Sequence, residues 1–185
     1  LLAPSYTPEA LTILQSKKNR MLLKTKQFEQ PKRLYRSVLN GVLEQEPDHV
    51  TETASHLKSV TTKAPSATET DDLLFANKIV KHSKSNAIVL VKDGQLLASG
   101  VGQTSRVDAL KQAIAKANHF GFSLQGAVMS SDAFFPFPDC VEIAATAGVT
   151  AIIQPGGSLR DQDSIDKANE LGVSMVVTGI RHFKH

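Results

Sequence analysis

Short apolar runs alternate with helix-like segments through the second half of the chain, and this alternation limits the possible folds more than any other feature. Five runs have the length and composition of strands: 86–91, 96–101, 127–129, 149–153 and 174–177. Apolar residues at three- and four-residue spacing predict helices near 107–117, 141–147 and 163–171. Lys92-Asp93-Gly94 predicts a hairpin between the first two strands. The pattern predicts an α/β fold whose mostly parallel sheet has helices on both faces.

The beginning of the chain repeats this pattern on a smaller scale. Residues 1–4 resemble the end of a strand, Thr7 and Pro8 predict a capped helix, and residues 21–23 predict a second strand. A strand–helix–strand unit implies earlier strands in the same sheet, so we expect this chain to be part of a longer protein. Residues 44–72 are rich in Thr, Ser, Ala and charged residues and contain no Gly. They predict a connector that becomes helical towards 73–80.

Charge and composition favour some classes of function over others. Residues 1–36 hold eight lysines and arginines against two acidic residues, although the whole chain carries only +3. Such a basic region can bind nucleic acid, but no known nucleic-acid-binding motif accompanies it. No apolar run reaches the roughly 18–20 residues of a membrane span. With the single cysteine Cys140 no internal disulfide can form, and we expect a reducing, cytoplasmic location.

Polar and glycine-rich segments follow three of the predicted strands, at the edge where α/β sheets bind ligands. Residues 130–137 bring a serine pair, an aspartate and three phenylalanines, which either pack in the core or stack on a planar ligand. Residues 154–158 form a turn whose amides could hold an anion, and Ser158 with Asp161 predicts a capping box. Arg181 follows the last strand, where it either forms a surface ion pair or grips a phosphate.

Two other site types have weaker support in the sequence. His182 and His185 lie three residues apart, but with one cysteine and no HExxH pattern we expect no metal site of the zinc type. Gly100-Val101-Gly102 follows a predicted strand and precedes a helix, but the third glycine of the dinucleotide fingerprint is missing.

Five of these segments together resemble one enzyme family. They are Ser85-Asn86-Ala87-Ile88-Val89, Gly102-Gln103-Thr104-Ser105-Arg106, Ser131-Asp132-Ala133-Phe134-Phe135-Pro136-Phe137, Gln154-Pro155-Gly156-Gly157-Ser158 and Arg181-His182-Phe183-Lys184-His185. Their order and spacing are similar to the C-terminal half of AICAR transformylase. This is the folate-dependent formyltransferase domain of the bifunctional purine-biosynthesis enzymes that also carry IMP cyclohydrolase. Residues 36–45 resemble the family segment before the connector, so the resemblance covers essentially the whole chain.

The resemblance implies a duplicated cytidine-deaminase-like fold and formyl transfer from 10-formyltetrahydrofolate to AICAR. Residues 1–43 would end the first copy, 44–72 would connect the copies, and 73–185 would be the second copy. By motif position, the implied contacts are Asn86, Arg106, Phe134 and Arg181 on AICAR, and Val107, Asp139, Ser158 and Leu159 on the folate. Arg181 would hold the phosphate, Phe134 would flank the reacting groups, and Asn86 would bond near the formyl group. The family also implies a homodimer and a structural K⁺ near Ser85 and Asp132, which nothing in the sequence requires.

Several departures from the family pattern limit what this chain would do. The catalytic Lys-His pair lies in the earlier half of the family domain, and Lys81-His82 matches it only as a dipeptide. Pro138 stands where the family usually has Arg, and the deaminase zinc signature is absent around Cys140. We therefore expect a part of the bifunctional enzyme that is inactive when separate. There are two alternatives. The chain is either a stand-alone module that binds AICAR or folate without catalysis, or a basic protein that binds nucleic acid.

Overall fold

The computed structural model describes residues 1–26 and 31–184, and the chain divides into two compact units, 1–49 and 50–185. His185, considered above as a metal-ligand candidate, lies outside the described residues. The division falls within the segment 44–72 that the sequence marks as a connector. In the described part of the chain, no helix is both long enough and apolar enough to cross a membrane.

The first unit consists of two small sheets and one short helix. Strands β1 (Leu2–Ala3) and β2 (Leu23–Lys24) pair in parallel on either side of helix α1 (Pro8–Leu14) in the chain. The Thr7 side chain accepts a hydrogen bond from the amide of Ala10, which confirms the predicted cap. Strands β3 (Leu34–Val38) and β4 (Gly41–Gln45) form an antiparallel hairpin. None of the described residues of this unit is buried.

The second unit is built on a six-stranded sheet. Its strands are β5 (Lys58–Ser59), β6 (Ile88–Lys92), β7 (Gln95–Gly100), β8 (Val128–Ser131), β9 (Ala151–Gln154) and β10 (Ser174–Val177). Their order in the sheet is β5-β10-β9-β8-β6-β7.

The prediction of a mostly parallel sheet is wrong, because the sheet is mixed. Only the β8–β9 and β9–β10 pairings are parallel, whereas β5–β10, β6–β8 and β6–β7 are antiparallel. The hairpin reverses the chain after β6, and helix α3 then returns it to the other side of β6, so that β8 lies antiparallel to β6. Alternation along a sequence does not reveal which strands become neighbours.

Helices cover both faces of this sheet, as expected. Helix α2 (Ala67–Lys81) packs on one face through Leu73, Ala76 and Val80. Helices α3 (Arg106–His119), α4 (Asp139–Ala147) and α5 (Asp161–Glu170) lie against the other face, where they bury the larger core. Four of the five residues of β6 are fully buried, as expected for a strand between two helical layers.

Two local features fix the start of α2 and its contact with the β6–β7 turn. Its amino end is fixed by a capping box in which Ser66 and Glu69 exchange hydrogen bonds of 2.8 and 3.2 Å. The helix thus begins at Ala67, six residues before the predicted position. Inside it, buried Asp72 accepts hydrogen bonds of 2.8 and 2.7 Å from the amides of Asp93 and Gly94, which both have positive φ. This contact ties the β6–β7 turn to the helix and supports the predicted hairpin.

Candidate functional site

One edge of the sheet collects the ends of β7 and β8 and the beginning of β6. Ile88 pairs with Ser131 on one side and with Gly100 on the other, so the residues just before β6 lie beside those just after β7 and β8. The carboxyl ends of β9 and β10 reach the same edge, because both run parallel to β8. The predicted ligand-binding segments therefore converge, in agreement with the general rule for such sheets.

Arg106 lies at the centre of this edge, at the first position of α3. Its guanidinium donates hydrogen bonds of 2.9 Å to Asn86 Oδ1 and 3.1 Å to the carbonyl oxygen of Phe134. It also pairs with Asp132 Oδ1 at 3.1 Å, and the side chains of Arg106 and Asp132 are only 9% and 0% exposed. Three separate strand ends are therefore joined by one side chain.

Asn86 is held in a fixed orientation by the loop after β7. Its Nδ2 donates to the carbonyl oxygens of Gln103 at 3.0 Å and Thr104 at 3.2 Å, while Oδ1 accepts from Arg106. The Ser85–Asn86 peptide bond is cis. Because both amide hydrogens are used, Asn86 acts in this arrangement mainly as a support for the guanidinium.

Unpartnered polar atoms remain within this cluster. Asp132 Oδ2 and Arg106 Nε are buried and have no hydrogen-bond partner among the described residues. A buried polar group without a partner costs about 1–3 kcal/mol, and more when charged. The cluster therefore has free capacity for a ligand, a cation or water.

The C-terminal segment brings a second cation to the same edge. The Arg181 guanidinium lies 6.0 Å from the centre of the Phe134 ring and 4.1 Å from that of Phe183. Backbone hydrogen bonds hold the segment, with His182 N donating to Asp132 O at 3.2 Å and Ser85 N donating to Lys184 O at 2.7 Å. Arg181 is exposed, so a guanidinium at this edge faces solvent above an aromatic ring.

The structure thus joins all four residues expected to contact the nucleotide: Asn86, Arg106, Phe134 and Arg181. Of the three neighbouring phenylalanines, only Phe135 belongs to the core, at 0% exposed. Phe134 is half-buried at the edge and Phe137 is exposed. The core interpretation therefore holds for Phe135, while stacking on a planar ligand stays a prediction for Phe134.

The residues expected on the folate side are more scattered. Val107 packs partly against the core in the first turn of α3. Asp139 Oδ1 accepts from the amide of Cys140 at the start of α4, and Leu159 is fully exposed between β9 and α5. No hydrogen bond or ion pair among the described residues joins these positions to one another. They lie in α3, at the start of α4 and in the turn before α5, on the helices that cover the same face of the sheet.

The predicted capping box of Ser158 and Asp161 is wrong. Ser158 Oγ instead accepts from the amide of Arg160 at 3.1 Å, and Asp161 reaches back to the amide of Gly157 at 2.6 Å. The N-cap residue of this helix is Arg160, whose side chain has no hydrogen-bond acceptor, so the helix has no side-chain cap. A cavity of about 310 Å³ lies next to this turn, between Lys58, Asp161 and Thr178, and none of the eight predicted site residues lines it.

Two weaker motifs have structural explanations. A Cβ on Gly100 would lie 1.8 Å from the carbonyl oxygen of Ala109, so this glycine is required where α3 packs on β7. The ring of His182 is buried against Glu52. Among the described residues, no group of three or more His, Cys, Asp or Glu side chains is placed to hold a metal ion.

Sequence reasoning missed Asp132 at this edge, and Glu52, which contacts the C-terminal segment from outside it. The sequence placed Asp132 only near a possible cation. Its position directly after a buried strand could have identified it as a candidate site residue. Glu52 carried no signal at all, because it lies in a polar segment that the sequence marks as a connector.

The fold and this edge define an α/β protein with a cluster of charged and aromatic side chains at the ends of its strands. Residues 1–116 match the family model described as the AICARFT/IMPCHase bienzyme, and the chain belongs to this family. This confirms the resemblance identified in the sequence.

Two curated relatives carry the name bifunctional purine biosynthesis protein PurH. The protein of Bacteroides thetaiotaomicron is 64% identical and that of Aquifex aeolicus is 51% identical, each over all of this chain. The chain spans only 36% of the length of either relative. Among solved structures, the apo dCMP deaminase of cyanophage S-TIM5 matches 57% of this chain and 92% of its own, with 23% identity and a TM-score of 0.42. That score is too low to establish a shared fold.

Proposed function

We propose that this chain is part of a bifunctional purine-biosynthesis enzyme and contributes half of the site that transfers a formyl group from 10-formyltetrahydrofolate to AICAR. The observation that carries the proposal is the convergence of Asn86, Arg106, Phe134 and Arg181 at one sheet edge in a member of this family. We propose further that the enzyme is a cytoplasmic homodimer, and that the transformylase region duplicates a cytidine-deaminase-like fold.

In this proposal the chain positions its substrates and supplies charge. The amine of AICAR attacks the formyl carbon, the bond from that carbon to N10 of the folate breaks, and a proton moves from the amine to N10. Arg181 holds the phosphate, while Phe134 packs beside the reacting groups. Arg106, supported by Asn86, stands near the developing negative charge on the formyl oxygen. For a weakly nucleophilic amine, such orientation and charge stabilisation are the main requirements.

The folate side would be formed by Val107, Asp139, Ser158 and Leu159. These residues lie in the loops and first helical turns beside the nucleotide residues. Because Leu159 is fully exposed, its contact would require a surface that the rest of the enzyme or a second subunit supplies. Pro138, in place of the usual Arg, is the N-cap residue of α4 and offers no charge there.

The residues that move the proton would come from the missing part of the enzyme. Lys81 is buried and its Nζ donates to the carbonyl oxygen of Val50, while His82 ends helix α2. These contacts support a structural role for the Lys81-His82 dipeptide. We therefore propose that this chain is inactive when separate.

We also propose a structural K⁺ at this edge, for which two oxygen atoms are candidate ligands. The unpartnered, buried Asp132 Oδ2 offers a carboxylate oxygen, and Ser85 Oγ lies on the same side of the sheet, where it accepts from Lys184 N at 2.7 Å. Hard cations such as K⁺ favour oxygen ligands of this kind. The ion would neutralise the carboxylate oxygen that Arg106 leaves unpaired.

The test measures formyl transfer by the full-length enzyme that contains this region. We expect Arg181→Ala to raise the KM for AICAR by roughly 10- to 150-fold, because a charged hydrogen bond contributes about 1.5–3 kcal/mol. Arg160→Ala is the matched control, since Arg160 is also an exposed arginine over a phenylalanine ring, 5.0 Å from Phe137. It should leave the KM for AICAR unchanged.

Two outcomes would contradict the proposal. One is a full-length enzyme that binds AICAR or folate without formyl transfer, which would favour the stand-alone binding module. The other is an unchanged KM for AICAR in Arg181→Ala, which would remove the phosphate assignment.

A further inference from the structure

Glu52 and His182 form a buried pair that the proposed reaction does not use. His182 Nε2 lies 2.6 Å from Glu52 Oε1, and the two side chains are 2% and 3% exposed. They are separated by 130 residues in the chain, and Glu52 belongs to the segment before β5. A buried carboxylate is tolerated only with a good partner, and the His182 ring supplies one to Glu52.

His182 occupies a special position in the C-terminal segment. It directly follows Arg181, and residues 181–184 have no regular secondary structure. The segment is therefore held by individual contacts: His182 N to Asp132 O, Lys184 to Ser85, and the His182 ring to Glu52. The first two fix the backbone, and the third fixes the one side chain of the segment that points into the interior.

The consequence for Arg181 follows from chain geometry. Neighbouring Cα atoms stay 3.8 Å apart, so a displacement of the His182 backbone is passed on to Arg181. The guanidinium of Arg181 lies over Phe134 and Phe183, and neither ring offers it a hydrogen-bond acceptor. A bidentate grip on phosphate is sensitive to displacements of about 1 Å.

We propose that Glu52 is a positioning residue for Arg181, acting through the ring of His182. By anchoring this ring, Glu52 holds the segment in the register that places the guanidinium over Phe134 and toward the phosphate of AICAR. The inference rests on the proposed function of Arg181. It adds a residue from outside the ligand-binding edge to the nucleotide site.

The test compares Glu52→Ala with Asp72→Ala in the full-length enzyme. Asp72 is a matched control, since it is a buried acidic residue, 6% exposed, whose carboxylate also accepts hydrogen bonds, but at the β6–β7 turn. We expect Glu52→Ala to raise the KM for AICAR about tenfold, while kcat stays within about twofold and the KM for the folate is unchanged. Asp72→Ala should lower the melting temperature without changing the KM for AICAR.

Two further variants make the test specific. Glu52→Gln keeps an oxygen that accepts from Nε2–H, so its KM should stay within about threefold of the parent value. In an Arg181→Ala background, Glu52→Ala should have no additional effect on KM, because both act on the same contact. If Glu52→Ala does not fold, Glu52→Asp supplies the readout, with a KM increase of a few fold expected from the shorter side chain.

Failure of the inference and failure of the proposed function give different results. The inference alone is overturned if Arg181→Ala raises the KM while Glu52→Ala, or Glu52→Asp in its place, does not. It is also overturned if Asp72→Ala raises the KM as much as Glu52→Ala. An inactive full-length parent, or an unchanged KM in Arg181→Ala, overturns the proposed function and this inference with it.

Discussion

The two units of the chain contain similar elements but bury them very differently. Residues 50–184 enclose two clusters of buried side chains, one on each face of the sheet. The described residues of 1–49 include none that is buried, and apolar side chains such as Leu39 and Val42 are 101% and 69% exposed. The lesson is that an apolar strand pattern predicts a strand, whereas a core requires a second layer to cover it.

This difference predicts unequal consequences for equivalent changes in the two units. Both tyrosines, Tyr6 and Tyr35, lie in the first unit and the chain has no tryptophan, so tyrosine fluorescence reports on that unit. Helices α2 to α5 all lie in the second unit, so circular dichroism reports mainly on it. The two signals allow each unit to be followed separately during unfolding by urea.

The largest difference in stability between the two units is expected when an ion pair is broken. Asp132→Ala should lower the free energy of unfolding of the second unit by about 3–5 kcal/mol, because it leaves the buried charge of Arg106 without its partner. In the first unit, Arg33 pairs with Glu44 at 3.1 Å, but the two side chains are 51% and 48% exposed. Glu44→Ala should therefore change stability by less than about 1 kcal/mol. If urea unfolding shows the same loss of unfolding free energy for both variants, the two units do not differ in the way described.

Thiol reactivity should differ by about a thousandfold. Burial, reinforced by the nearby carboxylate of Asp139, raises the pKa of Cys140 to about 12. At pH 8 its thiolate fraction is therefore about a thousand times smaller than that of an exposed cysteine, such as the one introduced by Ser37→Cys. Alkylation followed by peptide mass spectrometry compares the two rates in one protein. Similar rates would show that the second unit opens readily.

The same shift in pKa has a consequence for stability at alkaline pH. The unfolded thiol loses its proton above about pH 9, whereas the folded thiol keeps it up to about pH 12. The folded state then binds more protons, so the free energy of unfolding falls by about 1.4 kcal/mol per pH unit in this range. Cys140→Ala should reduce this slope by the same amount.

The smallest contrast concerns helix caps. Ser66→Ala removes the cap of α2, a helix with six buried residues, and should cost the second unit about 1 kcal/mol. Thr7→Ala removes the equivalent cap of α1, which has no buried residue. Because α1 is not coupled to a core, the change should not shift the unfolding of the second unit. A shift of equal size in both variants would show that the units unfold together.

Much of the site was predictable, because it depends on segments that follow strands. Arg106, Phe134 and Arg181 were identified from their motifs, and the structure places all three at one edge. The partners of these residues were less accessible. The pairing of Arg106 with Asp132 joins two elements 26 residues apart, and that of His182 with Glu52 spans 130 residues. Contacts over such distances leave no periodic signal in a sequence.

By itself, the sequence determined the family and most of the helices and strands between 86 and 177, since local patterns and motifs depend on neighbouring residues. It did not predict the strands β3, β4 and β5. Thr7 as a cap and the turn at Asp93-Gly94 are examples of such local control. Only the tertiary structure decided that the sheet is mixed, that Ser158 does not cap α5 and that Glu52 reaches His182. These outcomes depend on which strands become neighbours and which polar groups are buried together, and both are settled by packing over the whole chain.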